Sequence, residues 1–383
     1  MPLKMLLRIV GLSALLHAYI GFRLLPDLPV GPVGVAAAIA ALALSCLVMP
    51  APLLARSVAP KPWSDLLAWI GYLAMGLFSS LFVLTLLRDI LLLGAVVVGF
   101  LARDALPIDG FREASAIAVP GLALVLTLMG VFNARRLARV VRVDIPIVGL
   151  PAALSGFVIV QISDIHVGST IKRGYLNAIV GAVNALKPDL VAVTGDLVDG
   201  SVERLGPHVA PLASLSARHG VYFVTGNHEY YSGADAWVAE LRRLGLNVLL
   251  NQNAVLEHDG VRLLVGGVTD YSAHHFDPAQ RSDPHAALSG APADVAVRVL
   301  LAHQPRSAPA AEEAGFDVQL SGHTHGGQFL PWNFFVRFQQ PFTAGLNRLK
   351  KLWVYTSRGT GYWGPPVRFG APSEITRLRL VAA

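Results

Sequence analysis

The chain has 383 residues, 54% of them hydrophobic and only 15% charged, with a mean hydropathy of +0.53 and a formal net charge of +6. This length accommodates one large domain plus a second unit, and the composition is too apolar for a purely soluble protein. The single cysteine, Cys46, lies in an apolar run, which excludes a disulfide within the chain and a cysteine-based metal site.

The apolar excess is concentrated in the N-terminal third, where four transmembrane helices are expected over residues 5–25, 34–54, 66–87 and 115–133. Lys4 and Arg8 could open a signal peptide, but no small-residue cleavage site follows and further apolar spans do, so the first stretch reads as a retained helix. Each of the first three is about 20 residues, or roughly 30 Å of helix, matching the hydrocarbon core. Residues 90–101 follow the pair Arg88–Asp89 and are short for a span. They read as a continuation of the third helix beyond the bilayer or a re-entrant piece, with a fifth crossing as the alternative. Pro120, near the start of the last helix, is tolerated in a membrane.

Lys and Arg set the orientation. Lys4 and Arg8 precede the first span, Arg56 and Lys61 lie between the second and third, and Arg135, Arg136, Arg139 and Arg142 follow the last. In the other loops Arg23 is offset by Asp27, and Arg103 and Arg112 by Asp104, Asp109 and Glu113. Four spans place all three basic segments on one side, expected to be the cytoplasmic side of an inner membrane, and the C-terminal region goes with them. The positive charge is thereby read as topology, and no nucleic-acid partner is expected.

Residues 144–155 (DIPIVGLPAALS) read as a Pro/Gly-containing connector. From residue 156 short apolar runs alternate with helical stretches. Strands are expected at 157–162, 190–194, 221–225, 247–251, 261–266, 299–302, 352–357 and 374–380, and helices at 174–186, 234–244 and 307–314. Periodicity alone yields an α/β class.

Polar patterns follow the apolar runs. Asp164-Ile165-His166 comes after the first, Gly195-Asp196-Leu197-Val198-Asp199 after the second, Gly226-Asn227-His228-Glu229 after the third and His303 after a later one; Gly322-His323-Thr324-His325 completes the set. Polar residues at the C-terminal ends of several buried strands converge at one sheet edge, where α/β folds build sites. Each pattern alone is weak, but five in this order are strong. They resemble the signature of the calcineurin-like metallophosphoesterases, and the resemblance covers residues 157–380, about three-fifths of the chain.

The resemblance implies a four-layer α/β/β/α sandwich preceded by the all-α transmembrane domain. It implies two divalent metal ions, of Mn2+, Fe2+/Fe3+ or Zn2+ type. Asp164, His166 and His325 would hold one and Asn227, His303 and His323 the other, with Asp196 bridging. Mixed oxygen and nitrogen donors suit such a pair, and water held between two cations loses a proton readily and attacks phosphorus as hydroxide. His228 would act as general acid or as a cation against the transition-state charge, oriented by Asp199. Taken singly, His228 could equally be a packed strand-end histidine, Asp199 a helix cap and Glu229 either a neighbour of the ligands or a solvated turn residue. Related members carry Ser-Arg-Gly after a late strand, as Ser357-Arg358-Gly359 does here, so Arg358 is either a substrate phosphate clamp or a structural ion pair.

His208, His219, His258 and His285 stand alone and read as ordinary surface or packing residues, and His274-His275 lies in a loop, 269–283, that either borders the site or is plain surface. Residues 329–353 (FLPWNFFVRFQQPFTAGLNRLKKLW) combine aromatic and basic residues, as an interfacial element does, with an ordinary core segment as the alternative. The expected activity is hydrolysis of a phosphomonoester or phosphodiester, with a lipid-linked substrate and membrane lipids as candidate partners. A nucleotide-sugar-lipid pyrophosphohydrolase is the alternative enzyme. A transporter or receptor with a ligand-binding domain of this type is the non-enzymatic one.

Overall fold

The computed structural model describes residues 3–58, 62–102 and 108–383. Lys61, Arg103 and Asp104, used in the charge argument, lie outside the described residues. The chain divides into two compact units, Met1–Asn133 with Gly364–Phe369, and Ala134–Trp363 with Gly370–Ala383.

The first unit is helical: α1 (Leu3–Leu24), α2 (Pro32–Val48), α3 (Ala51–Val58), α4 (Trp63–Ala102) and α5 (Ile108–Arg135). Among the described residues three segments are long and apolar enough to cross a membrane, Leu7–Asp27, Trp63–Leu101 and Ile108–Arg135, while α2 is a shorter apolar helix of 17 residues. The span expected at 34–54 is thus two helices broken at Met49–Pro50. Met49 keeps helical backbone, but Pro50 has no N–H to donate and its ring crowds the preceding turn, so the helix does not continue through it.

α4 runs unbroken through Arg88 and Asp89 for 40 residues, about 60 Å and twice the hydrocarbon thickness. Arg88 is buried. It donates to Ser115 Oγ at 2.9 Å and to the carbonyls of Arg23 and Arg112 at 2.8 and 3.0 Å, and it pairs with Asp27. Asp89 accepts from Tyr19 Oη at 2.7 Å and Arg23 Nε at 2.9 Å. A guanidinium among apolar helices is costly unless paired, and here the partners come from the end of α1 and the start of α5. Residues 90–102 continue beyond this polar layer.

The second unit carries twelve strands: β1 (Arg139–Ile147), β2 (Val158–Ile162), β3 (Leu190–Val193), β4 (Val221–Phe223), β5 (Asn247–Val248), β6 (Gln252–His258), β7 (Val261–Gly267), β8 (Val297–Leu301), β9 (Val318–Ser321), β10 (Gly345–Leu349), β11 (Leu352–Thr356) and β12 (Glu374–Ala382). Its helices are α6 (Arg173–Ala185), α7 (Val202–Val209), α8 (Asn227–Ser232), α9 (Ala234–Arg243), α10 (Ala308–Ala314) and α11 (Trp332–Gln339).

Two mixed six-stranded sheets result, in the orders β1-β12-β2-β3-β4-β5 and β10-β11-β9-β8-β7-β6. Their facing sides share one core, with Ile159, Leu190 and Leu378 from the first sheet against Val265, Val299 and Leu320 from the second. The outer face of the first sheet, with Val160, Ile162 and Val193, packs on α6, α7 and α9 through Ile179, Leu205 and Trp237. The outer face of the second, with Leu264 and Leu300, packs on α10 through Ala308 and Ala311. These are the four layers of the expected α/β/β/α sandwich. Because both faces of β2 and β3 are covered, every residue in them is buried, which is why they read as continuous apolar runs.

The connector expected at 144–155 is corrected at its start. Asp144–Ile147 finishes β1, which pairs in parallel with β12 from Arg139↔Glu374 to Ile147↔Ala382. Ile145 and Ile147 turn inward, and Pro146 is tolerated because β1 is an edge strand. The second unit therefore begins at Ala134, not at residue 156.

Candidate metal centre

The polar patterns occupy the turns that leave β2, β3 and β4 in the first sheet and β8 and β9 in the second. Backbone bonds knit these turns together: Asp164 N to Gly195 O at 3.0 Å, His166 N to Asp196 O at 3.1 Å, and Gly322 N to His303 O at 2.9 Å. The glycines permit the approach. A Cβ on Gly226 would collide with the Asp196 carboxylate, and one on Gly322 with Ser163 and Asp164.

Six of the seven expected ligands meet there, and Asn227 stands between Gly226 and His228, whose backbones lie against the Asp196 carboxylate. His166 Nε2 faces His325 Nε2 at 3.1 Å, and Asp164 Oδ1 is 3.5 Å from the same His325 nitrogen. Asp196 Oδ2 is 3.1 Å from His303 Nε2, which lies 3.2 Å from His323 Nδ1. Asp196 is also 3.9 Å from His166 Nε2, so it stands between the two groups. Among the described residues three clusters could hold an ion: Asp164–His166–His325, Asp196–His303–His323, and His166–Asp196–His228.

Two further features fit these residues to metal ions. Asn227 Oδ1 is buried with no hydrogen-bond partner, a costly state unless a cation takes the lone pair. Asp164, His166, Asp196, His323 and His325 all adopt positive φ, between 50° and 70°. L-residues rarely hold this backbone, and it concentrates at functional sites.

His228 Nδ1 lies 2.6 Å from Asp199 Oδ1, and the same oxygen is 3.1 Å from His166 Nδ1. One carboxylate thus orients two imidazoles, where the sequence reading assigned it only to His228. Burial alone would lower the His228 pKa, but the charge of Asp196, the bond to Asp199 and its charge carry it up to about 9. Burial would raise Asp199, but the neighbouring His166 and His228 hold it well below the carboxylate range. Burial and the charge of His303 push His323 down to about 3.

Glu229 is fully buried. Its carboxylate accepts from the backbone N–H groups of Asp196 (2.9 Å), Leu197 (2.7 Å) and Gly226 (2.7 Å), tying the turns after β3 and β4 together. Arg358 is an ion pair, its Nη1 3.0 Å from Glu374 Oε2. His219 and His258 pair with each other at 2.9 Å.

Three aromatic residues at the site escaped the sequence reading. Tyr231 and Trp363 set their rings edge-on to His228, at centroid distances of 5.3 and 5.7 Å, and Phe276 packs on Tyr231 at 5.6 Å. All three are exposed. Tyr231 carries a weak signal, one helical turn after Asn227; Trp363 and Phe276 stand in loops with no pattern. Through Phe276 the loop 269–283 does border the site.

The pattern of the calcineurin-like phosphoesterases matches residues 157–327. A transmembrane protein with a metallophosphoesterase domain from Danio rerio is 37% identical over 74% of this chain and 66% of its own, and one from Bos taurus is 40% identical over 69% and 63%. An uncharacterised metallophosphoesterase from Aquifex aeolicus is 30% identical over 57% of this chain and 82% of its own. The chain belongs to the calcineurin-like metallophosphoesterase family. It spans just under two thirds of the length of the two vertebrate relatives. Relatives come from animals as well as bacteria, so the resemblance is not confined to a bacterial type. A 5'-nucleotidase precursor from Thermus thermophilus aligns over 58% of this chain and 54% of its own, with 17% identity and a TM-score of 0.38.

Proposed function

We propose that the protein is a membrane-anchored phosphoesterase that uses two divalent metal ions to hydrolyse a phosphomonoester or phosphodiester. The observation that carries this reading is the convergence of six donors, Asp164, His166, Asp196, His303, His323 and His325, beside the buried and otherwise unpartnered Asn227 Oδ1. Asp164, His166 and His325 would hold one ion, Asn227, His303 and His323 the second, and Asp196 both. Mixed nitrogen and oxygen donors suit manganese, iron or zinc. Such ions supply charge neutralisation at phosphorus and an activated water.

The chain's own residues do the rest. Asp199 accepts the Nδ1 proton of His228, which leaves Nε2 to donate to the departing oxygen. The same carboxylate fixes the ring of His166 and so the direction of its Nε2. Glu229 holds the Asp196 turn in place. The Arg358 guanidinium is committed to Glu374 and is given no role toward substrate. Purified full-length protein loaded with Mn2+ should hydrolyse aryl phosphate mono- or diesters with two metals bound per chain. If a fully loaded preparation hydrolyses none, the catalytic reading is wrong.

We also propose that the C-terminal domain faces the cytoplasm. Three spans alone would separate Lys4 and Arg8 from Arg135 and Arg136, against the charge rule. At 17 residues α2 reaches about 26 Å, just enough for a fourth crossing that reunites them. A reporter fused after Arg142 should read cytoplasmic and one near Asp27 the opposite side; an external signal after Arg142 would refute this orientation.

A further inference from the structure

The helix α11 has no buried residue, yet of its eight residues four are aromatic. Trp332, Phe334, Phe335 and Phe338 are between 50% and 80% exposed. At 100° per residue these four fall within about 160° of arc, and Asn333 and Val336 occupy the other side. That other side is fixed to the site. Asn333 backbone packs so closely on Gly327 that a Cβ there would collide with it, and Gly327 closes the turn begun by His325. Gln328, next in the chain, exchanges two hydrogen bonds with the backbone of Trp363, at 2.9 and 3.0 Å, and the Trp363 ring meets His228. Four large aromatic side chains standing in water together are unfavourable for a soluble surface and mark a contact face.

The charge says what covers it. Residues 329–353 hold no Asp or Glu and four cations, Arg337, Arg348, Lys350 and Lys351, of which Lys350 pairs with Glu312 and Arg348 lies over the Trp353 ring. Aromatic rings flanked by cations are the composition that settles at a lipid–water boundary, with the cations toward anionic head groups. A membrane is at hand, because only three residues separate the apolar α5, ending at Arg135, from β1, starting at Arg139.

We propose that α11 is an interfacial helix: its aromatic face lies in the lipid–water boundary of the bilayer entered by the chain's own helices, and the site behind it acts on phosphate esters carried by lipids. The helix packs directly on the turn that carries His325, so lipid contact at α11 would hold the metal ligands at the head-group level. The substrate clause rests on the phosphoesterase reading above; the insertion of α11 does not.

The test uses the full chain in nanodiscs containing anionic lipid. In a Cys46→Ser background, nitroxide labels are placed at Phe334→Cys and Phe338→Cys, with Glu257→Cys on β6 as an exposed reference. Collision with oxygen should exceed collision with a water-soluble nickel chelate at 334 and 338, and the reverse should hold at 257. Nickel access at 338 equal to that at 257 overturns the insertion.

A second arm compares wild type with the triple variant Phe334→Ser, Phe335→Ser, Phe338→Ser on two substrates, a phosphate ester embedded in the disc and a soluble aryl phosphate. The ratio of the two rates should fall about tenfold or more, the scale of withdrawing one phenyl ring from an apolar phase. An unchanged ratio overturns the lipid-substrate clause. Loaded wild type inactive on both substrates would instead sink the phosphoesterase reading, and the depth measurement would still decide on α11.

Discussion

The two sheets contribute unlike halves to one centre. Turns of the first sheet supply both carboxylates, the amide and one imidazole: Asp164, His166, Asp196 and Asn227. Turns of the second supply imidazoles alone, His303, His323 and His325. Each proposed metal group draws on both, His325 completing Asp164 and His166, and His303 and His323 completing Asp196 and Asn227. All the negative charge among these ligands therefore sits on one sheet, and imidazoles face it from the other. A cation between them would join the layers as well as serve chemistry, so metal loading and the cohesion of the sandwich should be linked.

Asp196 tests that arrangement most severely. It lies within reach of His303 and His166 and accepts the backbone N–H of His228 at 2.9 Å. Asp196→Asn keeps the shape and removes the charge shared by both groups. Activity should fall well beyond the roughly 10–100-fold typical of a change outside the ligands themselves. Metal content should drop below two per chain and the unfolding temperature of the domain should fall with it. A variant with two metals and a near-normal rate would end the assignment.

Asp199 leaves by the same turn yet should behave differently. It contacts the rings of His166 and His228 and belongs to none of the three metal clusters. Asp199→Asn should lower the rate about 10–100-fold while both metals stay bound, because only the orientation of the rings is loosened. Metal loss equal to that of Asp196→Asn would make Asp199 a ligand and shift the boundary between the two roles.

What could be read before the fold was known follows from burial. β2, β3, β4 and β8 were visible because both their faces are covered, and the ligands from Asp164 to His303 were visible because each follows such a run; His323 and His325 were visible by their own Gly-His-x-His spacing. β1 was hidden: its partner β12 is more than two hundred positions away, and Pro146 imitates a connector. The 34–54 span looked continuous because composition does not register what Pro50 does to a helix. Arg88 was read only as a charge pair with its neighbour Asp89, since its partners, Asp27 and Ser115, lie on other segments. Tyr231, Trp363 and Phe276 reach His228 from three separate segments, and no local spacing encodes such a meeting. The shared role of Asp199 was missed for the same reason, its second partner being 33 positions back.

Arg358 offers the smallest effect and separates two meanings of one residue. It follows β11 of the second sheet, and Glu374 opens β12 of the first, so their pair is a second joint between the layers that needs no metal. Glu374 is buried and its Oε1 also accepts from Tyr355 Oη at 2.7 Å and from Arg358 N at 3.1 Å. Removing the guanidinium leaves that carboxylate with fewer donors, at a cost of about 1–3 kcal/mol, with the lower end favoured because the Arg358 side chain is about a third exposed. For a domain of this size each kcal/mol is worth roughly 2–4 °C. Arg358→Ala should therefore lower the unfolding temperature by several degrees and leave KM for a phosphate ester unchanged. Glu374→Gln, which keeps the acceptor and removes the charge, should do the same on a smaller scale. A phosphate clamp would give the opposite pattern, a raised KM at an unchanged melting temperature in Arg358→Ala and no such effect in Glu374→Gln. That outcome would return Arg358 to the substrate side of the site and leave metal ions as the chief link between the two sheets.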